Sequence, residues 1–143
     1  LMAAEAWNEA EETPNEKVYD YLDQVRERAG LEGIKETYAK YASAQYKDYP
    51  SHKSQMRDII HRERQVELSC EGSYYWDTRR WKTAEKELNR IVQGWNVLNG
   101  ETAEDYYIPT NIYNQQFTLR DYFAPIPDGD IIRNPQLVQN PWW

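Results

Sequence analysis

Between residues 56 and 70 the apolar positions recur at helical spacing. On a wheel turning about 100° per residue, Met56, Ile59, Ile60, Val66 and Cys70 share one arc, and Asp58, His61, Gln65 and Ser69 lie opposite. This predicts an amphipathic helix, capped by Ser51 or Ser54 and running to Gly72, as the central element of the chain. Upstream, Leu1, Ala3, Ala4, Ala6, Trp7 and Ala10 predict an alanine-rich helix that ends near Glu12. No capping residue precedes it, so the chain opens in mid-helix, and Leu1, Met2 and Trp7 are expected to stand bare. Thr13 reads as the N-cap of a second helix with Pro14 at its first position, Val18, Leu22, Val25 and Ala29 on one stripe, and Gly30 as a left-handed stop. So short a link makes the two helices antiparallel neighbours, a helix-turn-helix unit of the tetratricopeptide kind.

Ile34 to Tyr46 predicts a further helix with Tyr38, Tyr41, Ala42 and Tyr46 on a broad face. Ser73 caps a short aromatic helix through Trp81, and Thr83 caps another, striped by Leu88, Ile91 and Val92 and ended by Gly94. From Trp95 onward turn residues dominate, among them Asn96, Asn99, Gly100, Pro109, Asn111 and Asn114. Ile112–Tyr113 and 117–119 predict a small hairpin around residues 114–116. The segment from Pro125 to Pro127 is extended, and residues 128–130 turn the chain. The apolar tail ending at Trp143 is expected to pack across the helices and close the core. The fold class is therefore all-α: a tetratricopeptide-like helical repeat with an irregular C-terminal wrap and at most a small β-hairpin. Residues 1–30 form the helix-turn-helix unit, 31–94 the central helices and 95–143 the wrap.

Composition narrows the chemistry. A net charge of −7 on 143 residues argues against binding a phosphate backbone, so no nucleic-acid partner is expected. Twelve Tyr and six Trp stand against two Phe, a preference for rings with a polar edge. One cysteine, Cys70, sits on the apolar arc and is expected to be a small buried hydrophobe. His52 and His61 with that cysteine make no metal set, and no cofactor is expected.

Two carboxylates break the central stripe. Glu63 and Glu67 project into the apolar arc one turn apart, where an unpaired charge is costly. One reading is a buried ion-pair network of Glu63, Arg64, Glu67, Glu71, Arg79 and Arg80. The other is a glycosidase pair, which requires both carboxylates to open on one cleft.

The same stretch carries a family likeness. Ile60, Glu63, Arg64, Glu67, Leu68, Glu71 and Gly72, followed by an aromatic run, Asp77, Arg80 and Trp81, resemble the signature of the SusD/RagB-like family. Phe117, Arg120, Tyr122, Pro125 and Pro127, then Asn134, Pro135, Gln139, Asn140, Pro141 and Trp143, are similar to the end of the same proteins. Tyr74 and Thr78 depart from the pattern. The resemblance implies the C-terminal part of a longer protein that is not an enzyme. It implies a surface-exposed outer-membrane lipoprotein, held to the membrane only by a lipid anchor on its N-terminal part. Such a protein binds oligosaccharide and passes it to a SusC-like TonB-dependent transporter. A helical scaffold for protein–protein interaction remains a rival class.

Sugar binding requires rigid aromatic faces with amides and carboxylates nearby. Two places meet that description: Tyr38, Tyr41 and Tyr46 on one helix, and Trp95, Tyr106 and Tyr107 among Asn96, Asn99, Asn111 and Asn114. The first is favoured, as an auxiliary contact; in the second, the adjoining Ile108 and Pro109 imply that at least one ring packs inward.

Overall fold

A computed structural model describes residues 1–143. The chain divides into two compact units, Leu1–Tyr74 and Tyr75–Trp143. The fold is mostly helical with one two-stranded sheet.

The first unit holds α1 (Met2–Ala10), α2 (Glu16–Arg28), α3 (Ile34–Tyr41), 3-10 turns at Ala44–Tyr46 and Tyr49–Ser51, and α4 (Lys53–Glu67). Its core is Ala4, Val18, Tyr19, Leu22, Ile34, Met56, Ile59 and Ile60, drawn from all four helices. Leu1 and Trp7 pack against this core, so only Met2 of the expected bare trio is strongly exposed.

The helix ends are bonded by residues that periodicity does not reveal. Asn15, and not Thr13, caps α2, its Oδ1 accepting from the Val18 amide at 3.3 Å; Asn is the stronger cap, and its side chain reaches the third amide of the helix. Gly30 does stop α2, with φ +74°. The Leu31 amide bonds the Arg26 carbonyl and the Gly30 amide that of Glu27, a Schellman closure. α3 follows Gly33 and takes its cap from another helix: the Ile34 amide donates to Asp23 Oδ1 at 2.7 Å. It ends at Tyr41, five residues before the expected Tyr46. α4 starts after His52 with no side-chain cap, so neither Ser51 nor Ser54 performs that role.

α4 also stops early, at Glu67. Cys70 has φ +67° and is exposed, and Val66 at the edge of the apolar arc is exposed too. Helical phase is lost before Cys70 is reached, so its place on the wheel carries no burial. Gly72, the expected end of the helix, lies five residues beyond Glu67, with φ +76°.

Lysine and arginine from α4 hold the C-terminal end of α1. Lys53 Nζ donates to the carbonyls of Glu9 and Glu11 at 2.7 and 2.8 Å, satisfying groups that have no partner within the helix. Arg57 grips the Glu9 carboxylate with two bonds of 2.6 Å. That guanidinium holds the Glu9 carboxyl below the usual carboxylate range. A carboxyl depressed in the folded state stabilises above its unfolded pKa, and this contribution is lost as pH falls through the folded value. Denaturant midpoints measured from pH 6 down to pH 3, about the unfolded carboxylate range, are therefore expected to fall less steeply in Arg57→Met than in the parent chain. Parallel curves would remove the assignment.

The second unit begins within α5 (Ser73–Arg80), which spans the boundary in sequence, and continues with α6 (Ala84–Leu88), β1 (Arg90–Trp95), α7 (Ala103–Tyr106) and β2 (Pro109–Gln115). A 3-10 turn at Leu119–Tyr122 and α8 (Asp128–Arg133) follow. The helix expected from Thr83 to Gly94 ends at Leu88, and Ile91 and Val92 lie on a strand instead. Asn89 makes the break. Its side chain bonds the Glu85 and Phe117 carbonyls and accepts the Phe117 amide at 2.6 Å, pairing with a distant segment as a backbone would. The β-branched pair then finds a partner rich in strand formers. β1 and β2 pair antiparallel, from Arg90 opposite Gln115 to Trp95 opposite Pro109. The small sheet thus joins residues far apart in sequence, and the hairpin expected around residues 114–116 does not form.

The C-terminal wrap binds itself. Gln139 pairs with both backbone groups of Ile126, Asn140 donates to the Ala124 carbonyl, and Trp143 Nε1 donates to the carbonyls of Arg120 and Phe123. The two halves of the C-terminal motif are therefore each other's partners. Ile132, Val138 and Trp142 remain exposed, so the tail does not bury its apolar residues as expected.

Candidate functional site

The β1–β2 ribbon gathers one of the aromatic sets. Pairing shifts register between Val92 and Gln93, which leaves Ile112 as an extra residue on β2. Such a bulge re-aims the side chains beyond it. Past the bulge, Gln93 sits opposite Asn111 and Trp95 opposite Pro109. Residues two apart on a strand share a face, and the Gln93 amide donates to Asn111 Oδ1 at 2.9 Å. Gln93, Gly94, Trp95 and Pro109 line a shallow cleft of about 300 Å³.

The loop from Asn96 to Ile108 returns to this face and is bonded to itself. The Asn96 amide donates to the Tyr106 carbonyl at 3.0 Å, its side chain to the Asp105 carbonyl, and the Gly100 amide to the Asn96 carbonyl. Thr102 caps α7 by accepting the Asp105 amide. This closure sets Tyr107 against Trp95 with ring centroids 5.5 Å apart and planes at 83°, and Tyr106 against Tyr107 at 5.1 Å and 85°. Trp95 is 51% exposed and Tyr107 62%, whereas Tyr106 is half-buried. Tyr106 is the most enclosed of the three, although the adjoining Ile108 and Pro109 are themselves exposed. The result is a corner of two open aromatic rings beside a pair of amides.

The other set is divided. Tyr38 packs on the core and stacks on Tyr49 at 6.3 Å, and Tyr46 meets Tyr49 edge-on at 5.4 Å. Burial pushes the Tyr38 phenol up from its ordinary value. Tyr41 is exposed, with the Lys40 ammonium 4.9 Å from its ring centre. Tyr49 was no part of the expected set, yet it joins two of its members.

The two central carboxylates are paired, with partners from α2. Glu63 takes Arg26, and Glu67 takes Arg28. Arg26 is buried and also donates to the Glu32 carbonyl and to Thr37 Oγ1, each at 2.9 Å, tying α2, α3 and α4 together. Sequence carries the signal for it: Val18, Leu22 and Arg26 recur every fourth residue, so the arginine continues the buried stripe. Glu67 and Arg28 are more open, with side chains 30% and 67% exposed. Glu71 is exposed and Arg64 half-buried. Arg79 stacks over Tyr75 and Phe117, and Arg80 bonds the buried Asp77. Glu63 and Glu67 thus engage different arginines.

Comparisons with known proteins place this architecture. The SusD-like protein P2 of Formosa agariphila is 30% identical over 140 residues, covering 98% of this chain and 23% of that protein. The solved structure of BT4246 in its selenomethionine form superposes with a TM-score of 0.74 at 28% identity, over 98% of this chain and 22% of that one. A SusD-like protein from Bacteroides fragilis NCTC 9343 shares the fold, with a TM-score of 0.72 at 22% identity over 98% of this chain and 23% of the other. The chain spans about a quarter of the length of these relatives. The model of the SusD family matches residues 1–143 throughout, and the chain belongs to that family.

Proposed function

We propose that this chain contributes a carbohydrate-contacting platform to a SusD-like protein that binds oligosaccharides for nutrient uptake. The SusD family is generally one of glycan binding, and its members are not enzymes. By the same family likeness, the complete protein resides at the outer-membrane surface on a lipid anchor and delivers its ligand to a SusC-like TonB-dependent transporter. No helix of this chain is long and apolar enough to cross a membrane.

The observation that carries the reading is the corner of Trp95 and Tyr107 beside the Gln93–Asn111 amide pair. A pyranose has an apolar C–H face and a polar rim; an open aromatic face takes the first, and side-chain amides take the second. Rings fixed by a closed loop lose little entropy when ligand arrives. Tyr41 and Tyr46 are also exposed and remain a second candidate contact.

Glycan-array and calorimetric titration of the full-length protein test this. Trp95→Ala is expected to weaken glycan binding by ten- to thirtyfold, about 2 kcal/mol for a buried aromatic anchor, with an unchanged melting temperature. A Tyr41→Ala variant that weakens binding while Trp95→Ala does not would move the site to the tyrosine helix. Unchanged affinity in both would remove the platform from either place.

A further inference from the structure

We infer that the ribbon platform takes uncharged glycan chains and discriminates against sulfated or uronate ones; this inference rests on the carbohydrate reading above. The charge around the corner carries it. From Ile91 to Leu119 the chain contains no Lys, Arg or His. That interval holds both strand segments of the cleft, the closing loop and all three rings. Arg90 precedes it, five residues before Trp95 on β1, roughly 16 Å away at strand spacing and about two screening lengths at physiological salt. Arg120 follows it and lies 4.7 Å from the Trp143 ring centre, engaged there.

The charges the interval does hold are negative. Glu101, Glu104 and Asp105 lie on the loop and on α7, immediately before Tyr106 and Tyr107, and all three are exposed. Asp105 Oδ2 accepts from the Thr102 hydroxyl at 2.8 Å. An anionic sugar set against Trp95 or Tyr107 would lose water from its sulfate or carboxylate with no cation from residues 91–119 in return, and would face like charge as well.

The polar groups of the cleft suit neutral hydroxyls. Gln93 donates one N–H to Asn111 Oδ1. The Gln93 carbonyl and the Asn111 NH2 are then an acceptor and a donor side by side. Two neighbouring sugar hydroxyls, each able to donate and accept, match that pair; a sulfate, which only accepts, matches half of it.

The test uses the full-length protein on an array that pairs neutral polysaccharides with sulfated or carboxylated counterparts: dextran with dextran sulfate, agarose with carrageenan, and galactan with polygalacturonate. At about 0.15 M salt, neutral chains are expected to bind at least tenfold more tightly than their charged counterparts. Trp95→Ala should weaken that binding about ten- to thirtyfold, and Trp95→Phe, which keeps a flat ring and reports on folding, should restore most of it. Glu101→Lys combined with Glu104→Lys should narrow the preference severalfold. Sulfated or uronate chains bound as tightly as neutral ones, and weakened in Trp95→Ala, would overturn the neutral preference and leave the platform standing. Glycan binding unchanged in both Trp95→Ala and Tyr107→Ala, or no binding to any polysaccharide, would overturn the platform itself.

Discussion

Glu63→Ala is expected to lower the unfolding free energy by about 3 kcal/mol, and Glu67→Ala, one turn away on the same helix, by less than about 1 kcal/mol. The two carboxylates look equivalent in sequence; their partners differ. Arg26 is buried and spends its donors on Glu63, the Glu32 carbonyl and Thr37. Removing Glu63 leaves a buried guanidinium with its charge uncompensated, the situation for which losses of about 3–5 kcal/mol are typical. The Glu63 side chain is 21% exposed, which places the expectation at the lower end. Glu67 meets an arginine that is mostly in solvent, where a pair is worth little. Denaturant titration of both variants decides the matter, and equal losses would refute the distinction. Glu63→Leu combined with Arg26→Met should recover much of the loss, because apolar replacement of a whole buried pair is often close to neutral.

Gly100→Ala is expected to reach the upper end of the roughly 1–3 kcal/mol cost of overpacking, and to weaken glycan binding with it. A Cβ on Gly100 would stand 2.5 Å from the Tyr106 Cα, 2.7 Å from the Asn96 carbonyl oxygen and 2.8 Å from the Tyr106 nitrogen. These are backbone atoms and have no rotamer to escape into. The contact lies where the loop is closed by the Asn96-to-Tyr106 bond, so relief must move Tyr106 and Tyr107 away from Trp95. Gly129→Ala is the control: nothing lies within 4 Å of its added Cβ, and alanine inside α8 should be neutral or stabilising by up to about 1 kcal/mol. Thermal melts and glycan titrations of the two variants check this, and a Gly100→Ala chain that keeps both stability and affinity would remove the loop from its supporting role.

Glu63 and Trp95 mark how far the sequence could be read. Two carboxylates inside an apolar arc demand cations, and cations are there; which arginines supply them depends on how α2 lies against α4, a relation that the periodicity of either helix does not contain. Trp95, Tyr106 and Tyr107 were recognisable as aromatic residues among amides, with one ring turned inward. Gln93 was not, because it belonged on paper to a helix. Leu88, Ile91 and Val92 follow helical spacing and strand preference equally well over so short a run. The tie was broken by Asn89 bonding Phe117, twenty-eight residues away. The tyrosine set is rearranged for a related reason: Tyr49, outside the predicted helix, packs against Tyr38 and Tyr46.

By itself the sequence determined the mostly helical class, the stripes of α2 and α4 that supply most of the core, the left-handed stop at Gly30 and the family signatures. These follow from local sterics and from the burial of one face per helix, which a 3.6-residue period records. Tertiary structure alone decided where α4 lets go of Cys70, which arginine holds Glu63, that residues 90–95 pair with 109–115, and that the C-terminal motif binds its own other half. The last three depend on hydrogen bonds or ion pairs between residues distant in the chain, and such pairing leaves no period in the sequence because its energy is realised only when the two segments meet.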